Sequence, residues 1–261
     1  DLAYEEIAST KLELLRATSR ELSNYISGIE DTAIFLVTNK AVRDTLSFKP
    51  ESFYEYRTLS KSMHDQFLRM RSVKPGVESI TLYTDWHEGY PSLEDEFLFP
   101  LSAAEEEGWL GGFAAADGFW IPEDGDGDVS YVHRIFGETA NTLGVVKIDI
   151  PTAALFRALS APMPAPAGGD YFVIMDAGGR FIASNVPAGL PIRIGVARAE
   201  SGEELANAFR GGAEAIDEAH VEGRAYSALV SDSRNRYWRL VQLTPKDIFF
   251  KNLRQIQWMT A

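Results

Sequence analysis

The N-terminal part of the chain carries apolar residues with the spacing of a long amphipathic helix. They recur every seven positions at Leu15, Leu22, Ile29 and Leu36, and Ile26 and Ala33 fill intermediate positions. This spacing places them on one face of an α-helix. No proline precedes Pro50, so the pattern predicts one helix over residues 2–48. A second stripe predicts another helix over 52–70, ended by the turn at Lys74-Pro75-Gly76.

The middle of the chain changes to the composition of β-strands. Segments rich in β-branched and aromatic residues predict strands at 77–84, 119–122, 129–136 and 143–150. Pro151 ends the last of them, and 152–159 is predicted to be a short helix.

A second set of elements follows the Pro/Ala/Gly segment 161–169, which we interpret as a linker. Strands are predicted at 170–177 and 180–184, and again at 226–231 and 237–243. Between the two pairs, Ser201 and Glu204 have the spacing of a capping box that opens a helix.

The two sets repeat one order of elements: strand, turn, strand, proline and helix. Tyr131 to Pro151 spans twenty positions, and Tyr226 to Pro245 spans nineteen. We therefore predict an α+β fold in which a long N-terminal helix carries two similar units with antiparallel sheets. The predicted divisions are the two N-terminal helices, a first unit, a second unit and a C-terminal helix, at 1–75, 76–160, 168–247 and 248–261.

Composition narrows the functions that this fold could serve. The 261 residues include 25 Lys and Arg against 38 Asp and Glu, a formal charge of -13. Nucleic-acid binding needs a basic surface, so it is not predicted. The chain has no cysteine, which excludes disulfides and thiolate metal sites. No apolar run reaches the roughly 18 residues of a membrane span.

Three segments together resemble a known family. They are GVVKIDIPTAALFRAL at 144–159, DYFVIMDAGGRFIASN at 170–185 and RYWRLVQLTPKDIF at 236–249. With the long helix before them, they resemble double Cache (dCache) sensor domains, the extracytoplasmic input modules of bacterial histidine kinases and chemoreceptors. The similarity is greatest to YesM-type sensor kinases.

The resemblance implies two PAS-like units, a membrane-distal one that holds a ligand and a membrane-proximal one that usually does not. It also implies a membrane helix on each side of the domain. The chain would then be the extracellular part of a cell-membrane protein that forms a homodimer at full length.

The predicted ligand site lies in the first unit. Strand alternation puts Lys147 and Asp149 on one face with Val145, while Tyr131 and His133 alternate similarly on their own strand. Aromatic rings with a few polar groups suit sugars, amines or zwitterions. The alternative is that Lys147 and Asp149 form a surface pair and the tryptophans are core. The predicted ligand-binding set is Tyr83, Trp86, Trp109, Trp120, Tyr131, His133, Lys147 and Asp149.

The amino-acid-binding branch of the family carries an arginine for the ligand carboxylate and a Tyr-x-Asp pair. Neither occurs in the corresponding segment EEEGWLGGFAAADGFWIP, although Trp109 and Asp149 can be placed on the pattern. A free amino acid is therefore disfavoured as the ligand, and a carbohydrate or another neutral solute is favoured.

Other acidic segments do not predict chemistry. Glu105, Glu106 and Glu107 are interpreted as a solvated helical run, and Asp124, Asp126 and Asp128 as a hairpin loop. The aspartates imitate a calcium loop, but Val129 and Ile135 replace its required Gly and Glu. The four histidines lack metal-ligand spacing and no nucleotide or hydrolase motif occurs, so we predict no metal, cofactor or catalysis.

The sequence thus predicts the extracellular sensing domain of a membrane-bound histidine kinase that binds a small solute in its first unit. Two alternatives remain open. One is a chemoreceptor ectodomain with the same fold, and the other is an interaction module that reads an extracellular solute-binding protein.

Overall fold

The computed structural model describes residues 2–86, 89–90, 97–123, 127–160, 170–187, 189–194, 197–209, 215–231 and 238–248. The chain divides into two compact units. We name them the five-stranded unit, Ile26–Ala154, and the seven-stranded unit, Asp1–Tyr25 with Leu155–Ala261. Mixed helices and mainly antiparallel sheets confirm the predicted α+β class.

The N-terminal helical region is two helices, which corrects the prediction of one helix over 2–48. Helix α1 (Leu2–Thr38) ends one residue before Asn39, and α2 (Lys40–Ser47) follows. The Asn39 side chain accepts hydrogen bonds from the backbone N–H groups of Ala41 at 2.9 Å and Val42 at 3.3 Å. Asparagine is therefore an N-cap here, and it restarts the helix without any Gly or Pro.

Ser52 caps the next helix, α3 (Phe53–Val73), in the same way, because its hydroxyl accepts from the Glu55 N–H at 3.2 Å. The apolar stripe of α1 is buried from Leu15 to Leu36, as its spacing predicts.

The five-stranded unit is built on one sheet with strand order β2-β1-β5-β4-β3. All neighbours are antiparallel except β1 and β2. Two short helical segments, α4 (Leu101–Glu106) and the 3-10 helix Leu110–Ala114, lie between β2 and β3. The strands are β1 (Ser79–Tyr83), β2 (Leu98–Phe99), β3 (Gly118–Ile121), β4 (Asp128–Phe136) and β5 (Thr142–Pro151).

One face of this sheet is directed to the helices. Val146, Ile148 and Ile150 of β5 alternate along that face and are fully buried. On the same face, the Trp120 Nε1 donates to Glu30 of α1 at 2.8 Å. The opposite face of the sheet, which we call the inner face, carries the candidate site.

The seven-stranded unit has strand order β7-β6-β12-β11-β10-β8-β9, and all its pairs are antiparallel. Helices α5 (Thr152–Ser160) and α6 (Gly202–Phe209) complete the chain order. The strands are β6 (Tyr171–Met175), β7 (Phe181–Ser184), β8 (Ile192–Ile194), β9 (Ala197–Ala199), β10 (Ala215–Val221), β11 (Arg224–Val230) and β12 (Arg239–Pro245).

The core of this unit lies between the sheet and α6. Leu205 and Phe209 of α6 pack with Val173, Val241 and other fully buried side chains of the sheet. The predicted capping box opens α6, since the Ser201 hydroxyl accepts from the Glu204 N–H at 3.2 Å.

Directly before β12, the backbone of the chain is hydrogen-bonded to two serines of α1. The Ser23 hydroxyl accepts from the Trp238 N–H at 2.9 Å, and the Ser19 hydroxyl donates to the Trp238 carbonyl.

Several predictions concern residues that are not described. These are the linker 161–169, the loop aspartates Asp124 and Asp126, and nearly all of the C-terminal helix 248–261. Within the part of the chain that is described, no helix is both long enough and apolar enough to span a membrane.

Candidate functional site

Strand register brings three polar side chains into one row on the inner face. In the antiparallel pairing, Ser79 of β1 and Ser130 of β4 lie on either side of Asp149 of β5. In the next row of that face, Thr81 and Val132 lie on either side of Lys147. Directly opposed residues of antiparallel strands share a face, so the pairing alone builds a polar patch across three strands.

The carboxylate of Asp149 is held by three donors. Its Oδ2 accepts from the Ser79 hydroxyl at 2.5 Å, and its Oδ1 accepts from the Ser130 hydroxyl at 2.7 Å. The Lys147 ammonium lies 3.5 Å from Oδ1. The side chains of Asp149 and Lys147 are each only 16% exposed. A charge this buried needs such partners, and the hydroxyls fix the orientation of the carboxylate.

Glu107 closes the patch from the segment that crosses the inner face. Its Oε1 accepts from the Tyr83 hydroxyl at 2.8 Å. Its Oε2 accepts from the Trp109 indole at 2.8 Å and from the Lys147 ammonium at 3.0 Å. One carboxylate thus receives three side-chain hydrogen bonds from three different elements of the unit.

Sequence reasoning missed Glu107, because a run of three glutamates on a short helix is typical of a solvated surface. Glu107 is the C-cap residue of α4, and Gly108 after it has a φ of +80°. This left-handed conformation favours glycine, and it turns the chain so that Glu107 and Trp109 both reach the inner face. The glycine that follows the glutamate run is the sequence signal that could have indicated the turn.

The pKa values of the network follow from its charges. Burial alone would raise the pKa of Glu107, but the hydrogen bonds from Trp109, Tyr83 and Lys147 outweigh it and lower that pKa. Burial would likewise lower the pKa of Lys147, but Asp149 and Glu107 raise it overall. Burial and the adjacent Glu107 carboxylate raise the pKa of Tyr83. The three groups are therefore held as carboxylate, ammonium and neutral phenol at neutral pH.

An apolar wall borders the polar patch on the inner face. The Tyr83 and Trp109 rings meet edge to face, with centroids 5.3 Å apart. Val132, Val145 and Phe113 complete the wall. Arg134 also lies on this face, opposite Val145, but its guanidinium is bonded to Asp117 at 2.5 Å and lies over the Phe113 ring.

The structure brings together half of the predicted ligand-binding set. Tyr83, Trp109, Lys147 and Asp149 meet on the inner face through Glu107. Trp120, Tyr131 and His133 lie on the opposite face, because Tyr131 pairs with Ile148 and His133 with Val146.

Trp86 lies elsewhere in the same unit. Its indole donates to the Phe48 carbonyl at 2.7 Å, and its ring packs on Tyr56 at 5.7 Å. Trp86, together with Trp120, Tyr131 and His133, therefore packs elsewhere in the unit and not on the inner face.

A cavity lies beside the polar patch, and the described residues were also compared with the requirements of a metal site. A cavity of about 210 Å³ lies between α3 and the edge of β1, and Ser79, Thr81 and His64 line it. In the described residues, no group of three or more His, Asp or Glu side chains could hold a metal ion.

Comparison with known proteins yields matches in structure only. No protein-family model matches the chain, and no curated protein sequence matches it. The sensor domain of the Vibrio cholerae histidine kinase DctB aligns with a TM-score of 0.56 at 10% identity, over 93% of this chain and 98% of that one.

A chemoreceptor domain gives a similar alignment. The ligand-binding domain of the Pseudomonas aeruginosa amino-acid chemoreceptor PctB, solved with L-Arg, aligns with a TM-score of 0.55 at 12% identity, over 94% of this chain and 98% of that one. At this identity the likeness concerns architecture. The chain has the double PAS-like Cache fold found in sensor domains of histidine kinases and chemoreceptors.

Proposed function

We propose that this chain is the extracellular, non-catalytic sensing domain of a membrane-bound histidine kinase of the YesM type. In this proposal a small polar solute binds on the inner face of the five-stranded unit, which would be the membrane-distal unit. The observation that carries the proposal is the half-buried charged patch of Lys147 and Asp149 in a double Cache fold. A carbohydrate or another small polar solute is the proposed ligand class.

The chemistry of the patch supports a solute with several polar groups. The Asp149 carboxylate can accept hydroxyl or ammonium protons, and Lys147 can donate to an oxygen. The Tyr83 and Trp109 rings beside them supply the flat apolar surface against which a small ring or chain packs. Most of these groups are satisfied internally, so a solute must exchange its own hydrogen bonds for existing ones.

Signalling follows from differential binding to two conformations. A solute that binds more tightly to one arrangement of the α4 segment shifts the population toward that arrangement. We propose that this shift is transmitted through α1 and the predicted C-terminal helix to a kinase across the membrane. A homodimer of the full-length receptor is part of the proposal.

The test is a thermal-shift screen of sugars, amines, organic acids and amino acids. We expect at least one class to raise the melting temperature of the wild type and not that of Asp149→Asn. This variant keeps the size of the side chain but removes its charge. The matched control is Asp44→Asn on the exposed ion pair of α2, which should respond like the wild type.

Two outcomes of the same screen would redirect the proposal. Stabilisation that is equal in wild type and Asp149→Asn would place the ligand outside the inner face. Stabilisation only by an extracellular solute-binding protein, with no small solute active, would favour the interaction-module function.

A further inference from the structure

We propose that Glu107 is an internal ligand of the sensing site, and that a carboxylate-bearing solute must displace it in order to bind. This inference rests on the proposed function, because it assigns a mode of regulation to the same site. It concerns the three donors around Glu107: the Tyr83 hydroxyl, the Trp109 indole and the Lys147 ammonium.

The donors form a carboxylate-binding set in which no arginine takes part. All three bonds to Glu107 are between 2.8 and 3.0 Å, and they arrive at both oxygens of the carboxylate. A cation and two neutral donors are the groups that a solute carboxylate needs. The chain's own carboxylate therefore shows that this set can bind one, although the sequence lacks the arginine that the amino-acid-binding branch uses.

Glu107 can leave this position more easily than the other members of the network. Its side chain is 40% exposed, against 16% for Lys147. It is attached at the end of the short helix α4, directly before Gly108. A Cβ at Gly108 would meet no atom within 4 Å, so the turn has open space around it.

Displacement of Glu107 would also change the cover of the site. Trp109, two residues later, starts the 3-10 helix Leu110–Ala114, and Phe113 of that helix packs in the apolar wall. When Glu107 is bound to Lys147, this segment is fastened to β5. When a solute carboxylate takes the place of Glu107, this link between the segment and Lys147 of β5 is lost. Binding of the solute therefore exchanges one carboxylate for another and, in the same step, releases the segment that carries Glu107 and Trp109.

The test compares wild type with Glu107→Ala, using sodium acetate as the smallest carboxylate probe. Removal of an internal competitor raises the fraction of competent sites, so we expect the dissociation constant for acetate to fall by about tenfold. The dissociation constants are obtained from the rise in melting temperature with acetate concentration. The Trp109 indole N–H resonance, identified by Trp109→Phe, reports where acetate binds. It should move in Glu107→Ala and return toward its wild-type position as acetate is added. Sodium chloride at equal ionic strength should not restore it.

Two further variants control this comparison. Glu106→Ala removes a neighbouring exposed carboxylate and should bind acetate as the wild type does. Glu107→Gln keeps the size of the side chain without its charge, so it should show an intermediate gain if the alanine variant is poorly folded. Equal acetate affinity in the wild type and both Glu107 variants, or no return of the Trp109 resonance, would overturn the proposal.

Failure of this inference is distinguishable from failure of the proposed function. If a solute stabilises the wild type in an Asp149-dependent way but the Glu107 variants gain no acetate binding, the sensing site stands and the internal ligand does not. If the Glu107 variants gain acetate binding but no solute stabilises the wild type, the internal ligand stands and the sensing function does not.

Discussion

The two units carry charged residues in one sheet and apolar residues in the other at equivalent positions. Each unit has an interior strand that ends in proline, β5 at Pro151 and β12 at Pro245. Counted back from these prolines, Lys147 and Asp149 of the five-stranded unit correspond to Val241 and Leu243 of the seven-stranded unit. The first pair is charged and partly exposed, and the second pair is apolar and fully buried.

The neighbouring strands differ in the same way. Asp149 lies between Ser79 and Ser130, whereas Leu243 lies between Tyr171 and Ala228. In the seven-stranded unit the row belongs to a core closed by α6. In the five-stranded unit the row is a hydrogen-bonded network that Glu107 covers. The same antiparallel strand pairing can therefore support either a closed core or a polar site. Which of them forms depends on the side chains in this row.

The largest expected effect comes from placing a charged side chain in the seven-stranded unit, at the position that corresponds to Lys147. Val241→Lys puts an ammonium into a fully apolar core with no partner for it. We expect the free energy of unfolding to fall by about 3–5 kcal/mol, measured by urea denaturation. Val241→Met, of similar length and uncharged, should lose much less. A loss below about 1 kcal/mol for Val241→Lys would show that this face is not a closed core.

A smaller loss is expected when the polar row of the first unit is broken. Asp149→Ala removes the acceptor of two hydroxyls and one of the two carboxylates beside Lys147. We expect the free energy of unfolding to fall by about 2 kcal/mol in urea denaturation.

The matched double variant, Lys147→Val with Asp149→Leu, copies the second unit. It should lose less than about 1 kcal/mol, because both charges leave together. If the double variant is as unstable as the single one, the charges are not a replaceable pair.

The attachment of α1 to each sheet gives a third comparison. In the seven-stranded unit, the buried Ser23 hydroxyl accepts from the backbone N–H of Trp238. Ser23→Ala leaves this N–H without its acceptor, and we expect a loss of about 1 kcal/mol in thermal denaturation.

In the five-stranded unit, Glu30 accepts from the side chain of Trp120. Glu30→Gln keeps an acceptor oxygen and should lose less than Ser23→Ala. The reverse order would contradict this account of the two attachments.

The smallest expected effect is the pH dependence of the Glu107 contact. The pKa of Glu107 lies below its ordinary value of 4.5, so this contact contributes stability above that pH and loses it as pH falls through the lowered pKa. The pKa of Lys147 is raised, so its contribution is complete below 10.5 and is lost only above that pH. Titration of the Trp109 indole resonance should give an acidic midpoint below 4.5, and a midpoint at or above 4.5 would contradict the network.

Local pattern was enough to predict much of the fold and part of the site. Alternation along β5 placed Lys147 and Asp149 on one face, and the repeated order of elements indicated two units. Alternation within one strand, however, does not specify its register against the next. Tyr131 and His133 were grouped with Lys147, but the pairing of β4 with β5 turns them to the other face.

Features that depend on distant contacts were not predictable in this way. The short strands β8 and β9 have too few residues to show a period, and a bulge interrupts the pattern of β10. Glu107 looks solvated in sequence, and only the fold brings it to Lys147, forty positions away. An asparagine that caps a helix is also a weak signal for a helix break, so the sequence does not predict the break at Asn39.

The most direct test of the central claim, that the inner face of the five-stranded unit is the ligand site, uses the tryptophan indoles as position markers. Trp109 lies on that face, Trp120 lies on the opposite face, and Trp238 lies in the other unit. Nitrogen-15 spectra would be recorded while the solute with the largest thermal shift is added. We expect the Trp109 indole resonance to move most, while those of Trp120 and Trp238 stay nearly unchanged. A saturable shift confined to Trp120 or Trp238 would contradict it.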